Sequence, residues 1–230
     1  MKPLRNILSA ALTSLLLVPL SAHAENLVLN PGFEDDAAMP VEWKVSAVAN
    51  GATVEIDNKV FHDGKHSLRL DQASKLTLPA GAKEAESLAK FLLDNKEGGF
   101  VLVCQDIPVE EGESYDFSFW YKSSGLLRED QSEPKQGFAH LMVWIFWLDD
   151  QKRSVEGDNA RWVLNEGVDA LDWVEAVNKR AGASEHLKGQ PCVAPPGTRF
   201  ASIRFQLITN APEATPKAWI DDVSFQKIGQ

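Results

Sequence analysis

Carboxylate side chains lie near both ends of the chain, each within a segment that has the pattern of a β-strand. The first segment, Asn26–Glu34, ends at the carboxylate of Glu34, and the second, Ala218–Phe225, contains Asp221 and Asp222. Carboxylate oxygens are hard ligands of the kind that Ca²⁺ prefers. Two strands that close one fold would bring these side chains within reach of a shared cation. The ends of the chain therefore predict a β-sandwich that is tied together by calcium.

The segments between these ends predict mostly short β-strands separated by turn residues. The predicted strands cover residues 52–56, 67–70, 100–109, 114–122, 140–148, 200–208 and 218–226. Residues 83–95 differ, because their apolar side chains recur at helical spacing and two glycines follow as a stop signal. Residues 149–191 form a long insertion, in which 170–179 is a short helix or Trp173 begins a strand. We therefore expect an all-β, two-sheet antiparallel sandwich with a short inserted helix and a long loop insertion.

Alternation along two of the predicted strands separates inward from outward side chains. In residues 114–122 an aromatic row faces the core, and Trp120 lies on the opposite, mostly polar face. Residues 140–148 are apolar on both faces, with Met142 and Trp144 in the second row. A strand of this kind is either covered on both sides or lines a ligand surface.

The first residues have the pattern of a secretory signal peptide. Two basic residues precede the apolar stretch Ile7–Leu20, and an A-x-A cleavage pattern ends at Ala24. The apolar stretch is shorter than the roughly 20 residues that a membrane-spanning helix needs. We expect a signal peptide over residues 1–24 and a single mature domain over 25–230, periplasmic or secreted and not membrane-spanning.

The charge of the chain argues against nucleic acid as a partner. The sequence has 23 Lys and Arg against 33 Asp and Glu, a formal net charge of −10 at pH 7. Removal of the signal peptide takes away two basic residues and no acidic one. Nucleic-acid binding needs a cationic footprint, and the sequence has no basic run.

Cys104 and Cys192 are the two cysteines of the chain. Export would place them in a compartment where disulfides persist. Each cysteine lies just upstream of a similar strand-corner-strand segment, which favours a Cys104–Cys192 disulfide over two buried free thiols. Such a bridge would contribute roughly 4 to 5 kcal/mol in the chain-entropy description, because it closes a long loop.

Eight short motifs follow one another along the mature chain. They are Asn30-Pro-Gly-Phe-Glu34, Pro40 with Trp43, Asp63-Gly-Lys-His-Ser-Leu68, Gln105 with Ile107-Pro-Val109, Gly112 with Tyr115, Phe119-Trp-Tyr-Lys122, Pro196-Gly-Thr198 and Asp221-Asp-Val-Ser224. Together they resemble the jelly-roll carbohydrate-binding modules of families four, nine, sixteen and twenty-two, which are often attached to polysaccharide-degrading enzymes. The resemblance implies a jelly roll of the galactose-binding type.

The resemblance also implies a structural calcium ion where the first and last strands meet. The ligands that it implies are the side chain of Glu34, an aspartate of the pair Asp221 and Asp222, and main-chain carbonyls near Gly32 and the turn Asp63–His66. Alternation places Asp221 on the inward face of its strand, so we expect Asp221 to be the ligand of the pair. The alternative is that both aspartates are solvated at a strand end.

Modules of this kind bind glycans with aromatic platforms flanked by hydrogen-bonding side chains. Sugar rings stack on aromatic faces, and their hydroxyl groups need polar partners once water is displaced. The sheet face opposite the core offers five such residues, Trp120, Met142, Trp144, Arg204 and Gln206. We expect these residues to form one surface that binds a poly- or oligosaccharide. The alternative is plain packing of the tryptophans beneath the inserted helix or the long insertion.

Catalysis is not expected from the acidic pairs of the chain. A glycosidase needs two carboxyl groups that flank the scissile bond, and the candidates are Glu110 with Glu111 and Asp149 with Asp150. Both pairs lie at strand ends or corners, where acidic residues are usually solvated. No hydrolase or zinc motif accompanies them.

The sequence thus predicts an exported, non-catalytic carbohydrate-binding protein with a structural calcium ion. One alternative is a structural or adhesion protein of the periplasm or cell envelope, which uses the same fold to contact an envelope protein. A polysaccharide-active hydrolase is a further alternative with less support.

Overall fold

The computed structural model describes residues 25–35, 40–72, 99–128, 137–155, 160–164, 169–177 and 191–229. The predicted signal peptide and the helix predicted over 83–95 lie outside these ranges. Within them, every regular element is a β-strand. None of these residues belongs to a helix long and apolar enough to cross a bilayer.

Two antiparallel sheets contain all the strands of the described ranges. The five-stranded sheet has the order β1 (Lys44–Ala49), β4 (Gly99–Pro108), β10 (Phe200–Thr209), β6 (Ala139–Leu148) and β7 (Ala160–Leu164). The six-stranded sheet has the order β2 (Ala52–Asp57), β3 (Ser67–Gln72), β11 (Lys217–Lys227), β5 (Ser114–Ser124) and β8 (Val174–Val177), and β9 (Cys192–Val193) pairs with β5. The long strands β4, β5 and β6 alternate between the sheets. This architecture is the antiparallel jelly-roll sandwich that the sequence predicts.

The core fills the space between the sheets with the side chains that alternation assigns to the inside. Tyr115, Phe117 and Phe119 of β5 are buried. They meet the five-stranded sheet across the sandwich, where the Phe119 and Phe205 rings lie 5.3 Å apart at 75°. Full burial of a large apolar side chain stabilises a fold by roughly 1.5 to 3 kcal/mol. The core therefore fixes which face of each strand points outward.

The predicted first strand, Asn26–Glu34, is not a strand. Only Asn26 forms a β-bridge, to Gln226 of β11. The side-chain amide of Asn26 donates a hydrogen bond to the carbonyl of Val223 at 2.9 Å. Phe33 has a left-handed backbone with φ of 56°, which turns the chain away from the sheet. The two ends of the chain meet as predicted, but through one bridge, a backbone hydrogen bond from the N–H of Val223 to the carbonyl of Pro31 and side-chain hydrogen bonds instead of a ladder.

The insertion over 149–191 contributes an edge strand to each sheet, where the sequence predicts a loop. β7 pairs with β6, and β8 pairs with β5. Of the two predictions for residues 170–179, the strand that begins near Trp173 is correct and the helix is wrong for the described residues. The physical reason is that β5 and β6 would otherwise present unpaired N–H and C=O groups at the sheet edges.

The predicted Cys104–Cys192 disulfide is wrong, because both cysteines are free thiols. Cys104 is a half-buried residue of β4 that points outward from the five-stranded sheet. Cys192 lies in β9 of the other sheet and belongs to the core. Burial raises the pKa of the Cys192 thiol to about 12, and the charge of Asp116 adds to this rise. Two side chains so oriented do not reach disulfide geometry without backbone movement.

Candidate functional site

The outward face of the five-stranded sheet brings together four of the five residues predicted to bind a ligand. From β4 to β6, two cross-strand rows on this face are Cys104–Arg204–Trp144 and Leu102–Gln206–Met142. All six side chains are half-buried. Directly opposite residues of antiparallel strands have Cβ atoms about 4.5 to 5.5 Å apart, so each row forms a continuous surface.

Trp144 and Phe146 form the aromatic part of this face. Their rings are stacked, with centroids 5.3 Å apart and an interplanar angle of 28°. Both side chains are half-buried, so part of the aromatic surface remains accessible. The sequence prediction leaves Phe146 out of the ligand set, although its alternation with Met142 and Trp144 carries the signal.

The guanidinium of Arg204 lies at the centre of the same face. Its Cζ atom is 4.2 Å from the centroid of the Phe146 ring, which is a cation–π geometry. Nε donates a hydrogen bond to Oγ of Ser202 at 3.2 Å. Among the described residues, no carboxylate lies within ion-pair distance of Arg204 and no acceptor bonds its Nη groups. The guanidinium is therefore oriented by the sheet while its outer N–H groups remain available.

Two lysines add charge at the borders of this face. Lys44 of β1 is exposed and lies opposite Cys104 in the register. Lys152 is already paired, because its Nζ atom is 3.3 Å from Oδ2 of Asp106 and 3.0 Å from the centroid of the Phe200 ring. Arg204 and Lys44 are therefore the two cations of this face that have no carboxylate partner among the described residues.

Trp120, the fifth predicted ligand residue, lies on the other sheet. It belongs to β5, opposite Asp221 of β11 and Glu175 of β8. Its ring stacks on His62 at 3.9 Å and 13°, and the Trp173 ring contacts His62 edge-on at 5.7 Å. The five predicted residues therefore do not form one surface. Alternation places Trp120 outward correctly but does not say from which sheet.

The outward face of the six-stranded sheet carries a cation that is neutralised. Arg69 of β3 forms ion pairs with Glu55 at 2.7 Å, with Asp57 at 3.8 Å and with Asp71. Trp219 donates from Nε1 to Oδ2 of Asp57 at 2.8 Å. Burial alone would raise the pKa of Asp57, but hydrogen bonds from Trp219 and two backbone N–H groups, with the charge of Arg69, lower it below its usual value. The two outward faces thus differ in charge balance.

The four residues implied as calcium ligands come together where the chain ends meet. A β-carbon placed on Gly32 would lie 3.6 Å from Oδ1 of Asp221, 3.8 Å from Oδ1 of Asp222 and 3.6 Å from Cγ of Glu34. The four residues therefore lie in one cluster, and their role as calcium ligands stays a prediction. The members of this cluster come from opposite ends of the chain.

Asp221 is completely buried, at 0% exposure. Its Oδ2 atom accepts from the N–H groups of His62 at 2.8 Å and Asp63 at 3.3 Å, and its Oδ1 atom accepts from the N–H of Asp222 at 2.8 Å. Burial raises the pKa of Asp221 to about 6, although these hydrogen bonds lower it. No basic side chain pairs with Asp221 in the described part of the chain. A buried carboxylate without a cation is costly, so this position favours a bound positive ion.

A β-bulge explains the orientation of Asp221. The register between β11 and β5 shifts between Asp221 and Ser224, and Asp222 has a left-handed φ of 45°. Asp221 is therefore on the outward side, with Trp219, where the backbone at His62 covers it. Asp221 is buried, but the predicted inward direction is wrong because the bulge interrupts the alternation.

Glu34 binds the turn that follows β2. Its Oε1 atom accepts from the N–H groups of Lys65 at 2.9 Å and His66 at 3.0 Å. Gly64 has a φ of +67°, and a β-carbon on it would lie 2.2 Å from Oε1 of Glu34. The contact requires a glycine at this position and fixes the turn beside the buried aspartate.

Calcium binding at this cluster would need main-chain carbonyls or water to complete the ligand set. Within the described ranges, no group of three or more His, Cys, Asp or Glu side chains has the arrangement of a metal site. Calcium takes about six to eight oxygen ligands and accepts carbonyl and water oxygens in a flexible shell. Asp221 supplies a buried carboxylate without a cation, and Gly32 lies beside it. Calcium binding is therefore consistent with this cluster and stays a prediction.

The acidic pairs considered for catalysis lie at corners and bind basic side chains. Glu110 is 3.1 Å from Nζ of Lys227, and Asp149 is 2.7 Å from Nη2 of Arg153. Hydrogen bonds from the backbone and side chain of Arg153 lower the pKa of Asp149. A general acid of a glycosidase instead needs a raised pKa.

Solved structures share this fold, whereas no protein-family model and no curated protein matches the chain. The enzymatically active domain of tailspike protein 4 from bacteriophage CBA120 is 19% identical, with a TM-score of 0.54, and the match covers 88% of this chain and 21% of that chain. The module TmCBM61, solved with β-1,4-galactotriose, is 13% identical, with a TM-score of 0.51, and the match covers 89% of this chain and 100% of that module. The xylan-binding CBM22-1 domain of Paenibacillus barcinonensis Xyn10C is 11% identical, with a TM-score of 0.46, and the match covers 90% of this chain and 97% of that chain.

The likenesses to the tailspike domain and to TmCBM61 confirm the jelly-roll β-sandwich as the fold. The chain spans the whole of TmCBM61 but about a fifth of the tailspike chain. At such low identities the shared feature is the fold itself. Neighbours of this fold include binding modules and an enzymatically active domain.

Proposed function

We propose that the protein is an exported, non-catalytic carbohydrate-binding protein that recognises a poly- or oligosaccharide. The single observation that carries this proposal is the outward face of the five-stranded sheet. There the stacked pair Trp144 and Phe146 lies beside Arg204 and Gln206, whose side chains have unused hydrogen-bonding groups among the described residues. The fold shared with carbohydrate-binding modules supports the same function.

The chemistry of this face suits a sugar ring. The apolar side of a pyranose packs on an aromatic surface, and the indole of Trp144 offers the larger ring for it. The hydroxyl groups at the edge of the sugar then need polar partners, because an unpaired buried hydroxyl costs about 1 to 3 kcal/mol. Gln206 and Arg204 lie in the adjacent strand, within the same two rows.

Calcium in this proposal is structural. Asp221, Asp222, Glu34 and the backbone near Gly32 bind the ion where the chain ends meet, on the six-stranded sheet. The glycan face belongs to the five-stranded sheet, so the ion has no sugar to polarise. Its role is to neutralise the buried carboxylate of Asp221 and to fix the turn that Glu34 contacts.

Protein contact by the same face is the alternative function. Met142, Trp144 and Phe146 are apolar and half-buried, and such a row also suits an envelope protein. The two functions differ in the response to free sugars, because a protein-contact face does not bind them.

A glycan-array screen of the mature protein tests the proposal. The array includes β-1,4-galactan, because TmCBM61 was solved with β-1,4-galactotriose, together with xylans and acidic polysaccharides. Retention on at least one glycan class is expected in the presence of calcium and, under conditions where the protein remains folded, also in chelator. Absence of retention on every glycan, combined with stable association to another protein chain, would establish the alternative.

A further inference from the structure

We infer that the glycan recognised by the five-stranded face is acidic and that its carboxylate or sulfate groups pair with Arg204. The inference rests on the proposed function, because it names the ligand class of the same face. Its basis is the guanidinium of Arg204, which pairs with no carboxylate of the described residues and whose direct cross-strand neighbours, Cys104 and Trp144, carry no charge.

Arg204 differs in its partners from the outward arginine of the other sheet. The sequence has more acidic than basic residues, 33 against 23, and the outward Arg69 of the other sheet pairs with three carboxylates. Arg204 has none among the described residues, although Ser202 and the Phe146 ring fix its orientation. A cation kept without a partner in an acidic protein is available for an anion from outside.

The guanidinium geometry favours an anionic sugar over a neutral one. The outer N–H groups of Arg204 form a planar fork that matches the two oxygens of a carboxylate or sulfate. Covering this cation with a neutral sugar would remove its water without returning a charge, which costs free energy. An acidic sugar that stacks on Trp144 brings its anion beside the fork, because the two residues are direct neighbours across β10 and β6.

A second cation lies in the same row. Lys44 of β1 is opposite Cys104, which is opposite Arg204. Since neighbouring strands are about 4.8 Å apart, Lys44 is roughly 10 Å along the row from Arg204. A polyuronate carries a carboxylate on every residue, so one glycan chain that crosses the strands meets both cations. The row from Trp144 to Lys44 therefore gives the direction of the bound chain.

The test compares acidic oligosaccharides with their own neutral derivatives. Titration calorimetry measures the binding of hexamers of galacturonate, mannuronate and glucuronate, of the same hexamers after carboxyl reduction, and of a sulfated galactan hexamer. At least one acidic hexamer is expected to bind about ten- to a hundredfold more tightly than its neutral derivative. Binding of the sulfated hexamer in place of the uronates supports the same inference, with sulfate as the anion.

Variants assign this preference to Arg204. Arg204→Gln is expected to reduce affinity for the acidic hexamer about tenfold or more and to change affinity for the neutral one by about twofold at most. Arg204→Lys retains charge but loses the fork, so its affinity should lie between those of Arg204→Gln and the original protein. The ratio of acidic to neutral affinity is measured on each variant, so partial unfolding lowers both values and leaves the ratio unchanged.

Chain length tests the second cation. Lys44→Gln is expected to weaken binding of an acidic hexamer more than that of a dimer, because the dimer does not extend from Trp144 to Lys44. Lys122→Gln, on the outward face of the six-stranded sheet, is the matched control and should change neither. Equal effects of Lys44→Gln and Lys122→Gln would contradict the proposed direction of the glycan.

The two proposals fail in different ways. A neutral hexamer that binds as tightly as its acidic parent, with Trp144→Ala weakening both, overturns the acidic class and supports the glycan-binding function. Acidic binding that Trp144→Ala and Arg204→Gln leave unchanged places the site elsewhere and overturns both proposals. Absence of binding to every hexamer also overturns the acidic class, and the glycan array then decides the function separately.

Discussion

Arg204 and Trp144 lie directly opposite each other across the β10–β6 ladder, whereas Trp120 belongs to the other sheet of the sandwich. The cation and the indole therefore form one site, and the two tryptophans do not. This relationship makes Trp144 the test residue for ligand binding. Trp120 is its matched control, because it is also a half-buried, outward-facing tryptophan.

Trp144→Ala is expected to weaken glycan binding by about 2 kcal/mol, roughly thirtyfold in Kd, because it removes the larger ring of the aromatic pair. Titration calorimetry with the tightest glycan of the array measures the change. Trp120→Ala should leave Kd within about twofold, although the loss of its stacking on His62 lowers Tm. The reverse result, with binding lost only in Trp120→Ala, would assign the ligand to the six-stranded sheet.

The reactivity of the two thiols measures whether a glycan covers the outward face of the five-stranded sheet. Cys104 is half-buried in the row that contains Arg204, and Cys192 is buried. A thiol-specific reagent at pH 8 should modify Cys104 in the native protein and leave Cys192 unmodified, because burial raises the pKa of Cys192 to about 12. A saturating glycan should slow modification of Cys104, and denaturant should expose both thiols. Modification of Cys104 at the same rate with and without bound glycan would count against this face as the binding site.

Calcium is expected to stabilise the fold through the chain ends. At a calcium concentration about 100 times Kd, linkage gives about 2.7 kcal/mol of additional unfolding free energy, seen as a higher Tm that chelator reverses. Glu34→Ala and Asp221→Asn should each remove most of this rise. Asp57→Asn is the control, because Asp57 pairs with Arg69 instead of lying in the proposed calcium site. This variant should lower stability but retain the calcium response. A full calcium response in Asp221→Asn would contradict the proposed site.

Asp221 also predicts a pH dependence in chelator. Its pKa is about 6 in the folded protein, because burial disfavours the charge, against an ordinary value of 3.8. Between these values the folded protein carries the proton and the unfolded chain does not. The free energy of unfolding should therefore fall as pH rises from about 4 to 6, by up to roughly 3 kcal/mol, and its Asp221 contribution should be constant above pH 6.

Urea unfolding at pH 4.5 and pH 7 measures this effect, with Asp221→Asn as the comparison. The variant lacks the buried charge, so the stability difference between the two pH values should shrink by the contribution of Asp221. Calcium should also reduce the difference in the original protein. If Asp221→Asn had the same pH profile as the original protein, the charge of the Asp221 carboxylate would already be neutralised in the original protein, and the prediction would be wrong.

Alanine substitutions at two glycines distinguish the effect of backbone strain from the effect of displacing the Glu34 side chain. Gly64 and Gly112 both have a left-handed backbone, with φ of +67° and +81°, so alanine costs each about 1 kcal/mol or more. A β-carbon at Gly64 also displaces the Glu34 carboxylate, whereas at Gly112 it meets nothing within 4 Å. Gly64→Ala should therefore destabilise more and reduce the calcium response, as measured by Tm with and without calcium. Equal losses and equal calcium responses in the two variants would contradict a role for Glu34.

The sequence alone determined the fold class and the inward and outward sides of the long strands. A period of two is a local property, because adjacent residues of any strand point to opposite faces. Tyr115, Phe117 and Phe119 were thus assignable to the core, and Trp120, Trp144 and Arg204 to outward faces. The motifs at the chain ends likewise made Glu34 and Asp221 candidate calcium ligands through the family resemblance, which stays a prediction.

Only the tertiary structure decided which outward faces belong together. Sheet membership depends on strand pairing between distant segments, and no local pattern records that β5 and β6 are in different sheets. Trp120 was therefore grouped with Trp144, and Cys104 with Cys192, across the two sheets. The bulge made the predicted direction of Asp221 wrong as well, since one extra residue in a strand reverses the alternation after it. The sheet pairing is what places Arg204 beside Trp144, and on the opposite sheet from the carboxylates that pair with Arg69.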